Sequence, residues 1–160
     1  MARFMGTHTN RLDRKGRVSV PALFRAELAR LGSDEIVLRP SHQYACIEAW
    51  PMPEFDAMAS KLDRLDVFSA DQEDLATSLF ADAYPLRPDG EGRIMLPEDL
   101  IAHAGLTDTV AFVGMATKFA LWEPAAAKRR VLEARNGARE RGLTLPGGSP
   151  AARTPTGGAA

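Results

Sequence analysis

Asp13-Arg-Lys-Gly-Arg-Val-Ser-Val-Pro21 is the stretch on which the fold turns. Its pattern is Asp-x-x-Gly-Arg-φ-x-φ-Pro, where φ is apolar. The pattern returns 76 positions later as Asp89-Gly-Glu-Gly-Arg-Ile-Met-Leu-Pro97. Asp13, Gly16, Arg17 and Pro21 meet Asp89, Gly92, Arg93 and Pro97, and Val18 and Val20 meet Ile94 and Leu96. Identities held at one spacing in so short a chain mark two copies of one unit.

Working outward, the Asp side chain can bond its own backbone two residues on, and Gly takes positive φ without steric cost, so Asp13–Gly16 predicts a tight turn. Arg17–Val20 alternates, with β-branched apolar positions, and predicts a strand. Pro21 ends it and opens a helix over Ala22–Leu31, with Phe24, Leu28 and Leu31 on one face and Gly32 closing it. Arg3–Thr9 reads as a short strand interrupted at Gly6. Glu35–Arg39 and Ala45–Trp50 read as two strands joined by Pro40-Ser-His-Gln. After Pro51 and Pro53, the residues Phe55, Met58, Leu62 and Leu65 mark one helical face. Ser69-x-x-Gln72 is a capping box that opens a helix carrying Leu75, Leu79 and Phe80.

The second copy repeats the order. A strand from near Ala83 leads into the Asp89–Gly92 turn, then Arg93–Leu96, a helix from Pro97 to Gly105, and strands Thr109–Met115 and Lys118–Trp122. Trp122 answers Trp50 at an offset of 72, and Pro124 opens a last helix. A few short strands cannot bury a core alone. Two copies packed through pseudo-twofold pairing can, which predicts a mixed α+β fold: two interleaved halves forming a small β-barrel with helices outside. The expected organisation is a first half over 1–53, a helical connection over 54–82, a second half with its C-terminal helix over 83–142, and a Gly-, Pro- and Ala-rich disordered tail over 143–160.

Composition excludes much. Net charge is −1 over 160 residues, yet residues 1–30 carry a net of +5 and residues 54–74 a net of −5. A basic end beside an acidic middle points to an anionic partner. The single Cys46 excludes an internal disulfide and a cysteine-built metal site, and fits a reducing cytosol. No apolar run is long enough to span a membrane, and no signal peptide core is present, so a cytoplasmic protein is expected. His8, His42 and His103 stand apart with no ligand-spaced partner, which argues against a metal. Cys46, beside Ile47, reads as a core residue. Ser19 lacks a nucleophile elbow, and Gly90-Glu-Gly92 lacks the Lys-Ser/Thr ending of a phosphate loop. No convergent acid, base and nucleophile suggests an enzyme, and no cofactor is expected.

Two readings of the repeated turn stand together. In one, Asp13 and Asp89, with Gly16 and Gly92, brace the turns internally. In the other, Arg17 and Arg93 are presented from one face to double-stranded DNA, because guanidinium grips phosphate and reads guanine O6 and N7. Arg11, Arg14 and Lys15 would then contact phosphates. The turns differ: the first holds Arg14-Lys15, the second Gly90-Glu91, so the first is expected to dominate. The basic last helix, with Lys128, Arg129, Arg130, Arg135 and Arg139, is a solvated face that can also serve DNA or a second subunit.

Arg3-Phe-Met-Gly6, Leu12 to Pro21, Asp89 to Pro97 and Val113-Gly-Met-Ala-Thr-Lys-Phe-Ala-Leu-Trp122 together resemble the MraZ family of bacterial transcriptional regulators. The likeness covers roughly residues 3–140. It implies two halves related to the AbrB-type swapped-hairpin fold, assembled as a homo-oligomeric ring on the nucleoid. It also implies binding to short repeated promoter boxes, mainly as a repressor of the division and cell-wall gene cluster and of its own operon. Asp13, Lys15, Gly16, Arg17, Asp89, Gly92 and Arg93 carry the family motif. Ala120 stands where that family usually has Glu, and the tail beyond Gly142 matches nothing in it. An oligomeric interaction module of antitoxin type is the alternative from a different class.

Overall fold

The computed structural model describes residues 3–146; most of the tail expected to be disordered lies outside the described residues. The described residues fall into two compact units, divided after Ala127. The first holds β1 (Thr7–Arg11), β2 (Arg17–Ser19), α1 (Ala22–Arg30), β3 (Ile36–Pro40), β4 (Ile47–Pro51), α2 (Met52–Ala59), a 3₁₀ turn (Ser60–Arg64), α3 (Ala70–Phe80), β5 (Tyr84–Leu86), β6 (Arg93–Met95), α4 (Glu98–Ala104), β7 (Thr109–Met115) and β8 (Lys118–Trp122). Helix α5 (Pro124–Glu140) begins in the first unit and supplies the helical part of the second.

The sheet shows how the copies combine. Six strands lie in the order β1-β7-β8-β4-β3-β5. Exchange the copies, so that β1 becomes β5, β7 becomes β3 and β8 becomes β4, and the order reads the same backwards. Each copy's first strand therefore pairs with the other copy's third strand: Thr9 opposite Ala111, and Val37 opposite Pro85. At the centre β4 meets β8 antiparallel, with Glu48 opposite Ala120. The remaining strands form a two-stranded ribbon in which Arg17, Val18 and Ser19 face Met95, Ile94 and Arg93. The interleaving expected from the repeat is therefore formed strand by strand.

The expected closed barrel is not. The hydrogen-bonded strands are an open six-stranded sheet and a separate ribbon, linked on one side by the Leu12–Val18 bridge. Leu12 N–H donates to Asp108 C=O at 2.8 Å and prolongs the β1 edge. The residue 76 positions later is Pro88, which has no N–H to give, and β5 stops at Leu86.

Alternation along the strands sorts the core. Ile36, Leu38, Ile47, Ala49, Val110, Phe112, Phe119 and Leu121 line one face of the sheet. The ribbon (Val18, Val20, Ile94, Leu96) and helices α1 and α4 (Phe24, Leu28, Leu100, Ala104) cover that face. Phe24 is the hub: its ring lies 5.3 Å from Phe4, 4.9 Å from Phe119 and 6.5 Å from Phe112. Such aromatic pairs contribute about 0.5–1.5 kcal/mol each beyond area burial.

The other face differs between halves. Over the second half's strands it is apolar, with Ala111, Ala120, Trp122 and Ala127 packed together and joined by Cys46 of the first half. In the first half, Arg39 is 3% exposed and paired with Glu48 at 2.9 Å. The long helical face predicted over Phe55–Leu65 is divided between α2 and the 3₁₀ turn, and only Phe55 on it is fully buried. Ser69 Oγ accepts from Gln72 N–H at 3.1 Å, the N-cap half of the expected box. Helix α3 buries no side chain completely. No helix among the described residues is long and apolar enough to cross a membrane.

Candidate nucleic-acid interface

The two turns superimpose bond for bond. Asp13 Oδ1 accepts from the N–H of Lys15 at 2.9 Å and of Arg17 at 2.8 Å, and its Oδ2 accepts from Arg17 Nε at 2.8 Å. Asp89 Oδ1 accepts from the N–H of Glu91 at 2.8 Å and of Arg93 at 3.0 Å, and its Oδ2 from Arg93 Nε at 3.0 Å. Gly16 and Gly92 sit at φ +87° and +80°, where a side chain is strained. At Gly16 a Cβ would also come within 3.1 Å of Leu96 C=O. The repeat of Asp, Gly and Arg is explained by this local geometry.

The turns also close on each other. Leu96 N–H donates to Gly16 C=O at 2.7 Å, and Val20 N–H donates to Gly92 C=O at 2.9 Å. Each half's strand is thus sealed by the other half's glycine.

The carboxylates are tuned by this embrace. The backbone N–H of Arg17, followed by its guanidinium and the Lys15 N–H, holds the Asp13 carboxyl below the ordinary value of 3.8. The N–H of Arg93 is the main cause for Asp89, which is lowered likewise. Both pairs are substantially exposed, and exposed ion pairs add little stability. Their effect is to orient the guanidinium: Nε is committed to Asp, which leaves the terminal Nη groups outside that bond.

Directly opposed residues of an antiparallel pair share a face. Arg17 opposes Met95 and Arg93 opposes Ser19, so all four occupy the outer face of the ribbon while Val18 and Ile94 are buried behind it. Arg17 and Arg93 are 32% and 31% exposed and lie diagonally across the ribbon. The two motif arginines are thereby brought to one surface. Arg14 and Lys15 are exposed on the first turn, and Arg11 is exposed at the end of β1.

The heads are unequal. Arg93 Nη2 is also held by Glu91 Oε2 at 3.5 Å, whereas the Arg17 Nη groups have no partner among the described residues. The turns also differ in what covers them. Ile101 Cδ1 lies 3.5 Å from where a Gly16 Cβ would be, while Arg25 Cδ and Nη1 come within 2.6 and 2.7 Å of the Gly92 equivalent. Arg25 and Ile101 are themselves 76 positions apart. The motif spacing does not point to Arg25, because its place beside the other copy's turn follows only from strand exchange.

A second polar cluster, absent from the sequence reading, lies on the sheet's far face. Glu48 Oε1 accepts from Arg39 Nη1 at 2.9 Å and from Trp50 Nε1 at 3.1 Å, and Lys118 Nζ stands 3.8 Å from Oε2. Arg39 Nη2 reaches His42 Nε2 at 2.9 Å and donates to Ser78 C=O of α3 at 3.2 Å. The pairing of Glu48 with Ala120 shows what the departure at Ala120 does: where the first half has this network, the second half has apolar side chains, Ala111, Ala120 and Trp122.

The family described as "MraZ protein, putative antitoxin-like" matches residues 3–77 and 79–134, and each stretch holds one copy of the motif. A relative named transcriptional regulator MraZ, from Gluconacetobacter diazotrophicus, is 57% identical over 91% of this chain and 93% of its own length. The relative of that name from Gluconobacter oxydans is 51% identical over 99% of each chain. Another, from Xanthobacter autotrophicus, is 42% identical over 88% of this chain and 89% of its own. On the repeated motif, the matched length and these identities, the chain belongs to the MraZ family.

Proposed function

We propose that the chain is a transcriptional regulator that binds double-stranded DNA through the ribbon and its two turns. The observation that carries this reading is that two guanidinium groups are oriented by Asp13 and Asp89 on one exposed ribbon face. A two-stranded β-ribbon fits the major groove, and a fixed Arg there can grip phosphate or read guanine. Arg17 is the principal contact and Arg93 the second. Arg14, Lys15 and Arg11 hold phosphates, and Asp13, Gly16, Asp89 and Gly92 position the turns. The names of the relatives support regulation of transcription.

The fuller reading follows the family resemblance. The exchanged strands suit an AbrB-type swapped-hairpin unit, and several such chains form a homo-oligomeric ring associated with the nucleoid. The ring engages repeated promoter boxes at once, gaining affinity through effective concentration. Its targets are the division and cell-wall gene cluster, including its own operon, which it represses.

Electrophoretic shift of a duplex from the gene's own upstream region tests this. Arg17→Ala is expected to lose the specific complex while sizing chromatography shows an unchanged oligomer. Tight, specific binding by that variant overturns the assignment. A second reading, an oligomeric protein-interaction module of antitoxin type, is favoured by the exposed apolar groups near α3, Phe68 at 95% and Val67 at 69%. Failure of the native chain to shift that DNA at any salt, with the oligomer intact, would favour it.

A further inference from the structure

Arg25 has no place in the motif, yet it lies on the second turn. It projects from α1 of the first half and covers Gly92 of the second, with Nη1 and Nε within 2.7 and 2.9 Å of the position a Cβ would take. Val20 locks it there: Val20 C=O accepts from Arg25 Nε at 3.1 Å, and Val20 N–H donates to Gly92 C=O at 2.9 Å. Arg25 is exposed, and its Nη groups have no partner among the described residues. It lines a cleft of about 250 Å³ with Leu28, Ala29, Asp34, Pro88, Asp89 and the backbone of Gly90 and Gly92. Of the acids in that cleft, Asp89 is taken up by Arg93, and Asp34 lies 3.9 Å from Arg87 Nε.

The first turn needs no such aid. It carries its own Arg14 and Lys15, and the residue covering Gly16 is the apolar Ile101. The second turn has Gly90 and Glu91 in place of those cations, and its covering residue is a cation. The positive charge missing from the second turn is supplied across the pseudo-twofold by the first half's helix.

We propose that Arg25 is a phosphate-binding residue of the second turn, which makes that turn a composite site: Arg93 from one half, Arg25 from the other. A DNA backbone phosphate is the ligand, and the inference rests on the DNA-binding reading above. Cationic side chains anchored beside a base-reading group set register without reading sequence. Both halves then offer a comparable phosphate grip despite unequal turn sequences.

The test is a salt series of shift assays with the full chain on the duplex from its own upstream region. It compares the native protein with Arg25→Gln, Arg25→Lys and Arg17→Ala, and monitors each fold by circular dichroism. Arg25→Gln keeps the stem over Gly92 and a donor for Val20 while removing the charge. It is expected to weaken binding and lower the salt slope by about 0.9, the value of one phosphate contact. Arg25→Lys should keep the native slope. A native slope in Arg25→Gln, with Arg17→Ala still losing the specific complex, overturns the proposal and leaves the DNA reading standing. An equal loss of slope in the Gln and Lys variants marks a packing role and overturns it too. Absence of salt-dependent binding by the native chain removes the DNA reading, and Arg25 with it.

Discussion

Val18 and Ile94 face each other at the centre of the ribbon, both 1% exposed, and each is the other's counterpart 76 positions along the chain. Two residues that are equivalent in sequence and opposed in space place a pseudo-twofold axis between them. The same axis sets Gly16 against Leu96 and Gly92 against Val20. The halves are thus joined at the point where the motif arginines are displayed, and four predictions follow from that geometry and from where it breaks down.

Truncation behind the ribbon should undo the display without touching an arginine. Ile94→Ala removes a fully buried side chain from the shared core and should cost about 2–5 kcal/mol in urea unfolding. Met95→Ala, on the exposed face, should change stability by less than about 0.5 kcal/mol. Equal effects would show that the ribbon is not packed as described.

Acid should loosen the turns. Asp13 and Asp89 have folded pKa values below the ordinary 3.8, because backbone N–H groups and guanidinium favour the charged form. An unfolded chain then binds more protons through that range, so stability falls as pH falls. Their contribution is complete above the ordinary value and disappears as pH drops through the lowered one. Denaturation midpoints measured between neutral pH and pH 3 should fall less steeply for the Asp13→Asn, Asp89→Asn double variant than for the native chain. Parallel curves would show that these carboxylates are not favoured in the fold.

Glu91 restrains the second head, holding Arg93 Nη2 and adding negative charge to the turn. Glu91→Gln should tighten DNA binding by about two- to fivefold, the scale of an exposed charge interaction. Lys15→Ala, on the first turn, should instead lower the salt slope by about one unit while leaving sequence preference intact. Weaker binding by the Glu91 variant, or an unchanged slope for the Lys15 variant, would refute these assignments.

The Arg39–Glu48 pair is the chief departure from symmetry, and its two partners are not independent. Glu48→Ala strands a guanidinium that is 3% exposed and should destabilise the chain by about 3–5 kcal/mol, because a buried charge without its partner is costly. Replacing both by apolar residues, Arg39→Met with Glu48→Leu, should recover most of that loss in thermal or urea unfolding. Additive losses in the double variant would mean that the two groups do not interact.

The turns were legible in the sequence because everything that makes them is local. Asp13 and Arg17 are four residues apart, Gly16 supplies the positive φ between them, and one carboxylate satisfies two backbone amides and a guanidinium without help from the rest of the chain. Strands Thr109–Met115 and Lys118–Trp122 were legible because each is a short, nearly continuous apolar run bounded by turn residues, and both lie buried with runs of consecutive residues inside. The face over Phe55–Leu65 misled because apolar spacing cannot show where a helix tightens into a 3₁₀ turn or which residues find a partner.

By itself, then, the sequence determined two copies of one strand-turn-strand unit, the internal bracing of each turn, and two arginines in equivalent places. Only the tertiary structure decided which strands the interleaved copies exchange, that the ribbon stays separate from an open sheet, and that Arg25 lies over the turn of the other half. The division has a physical cause. Turn bracing is set by bonds between near neighbours, whereas strand partners and the cover over Gly92 are chosen by burial summed over both halves, to which no single segment holds the answer.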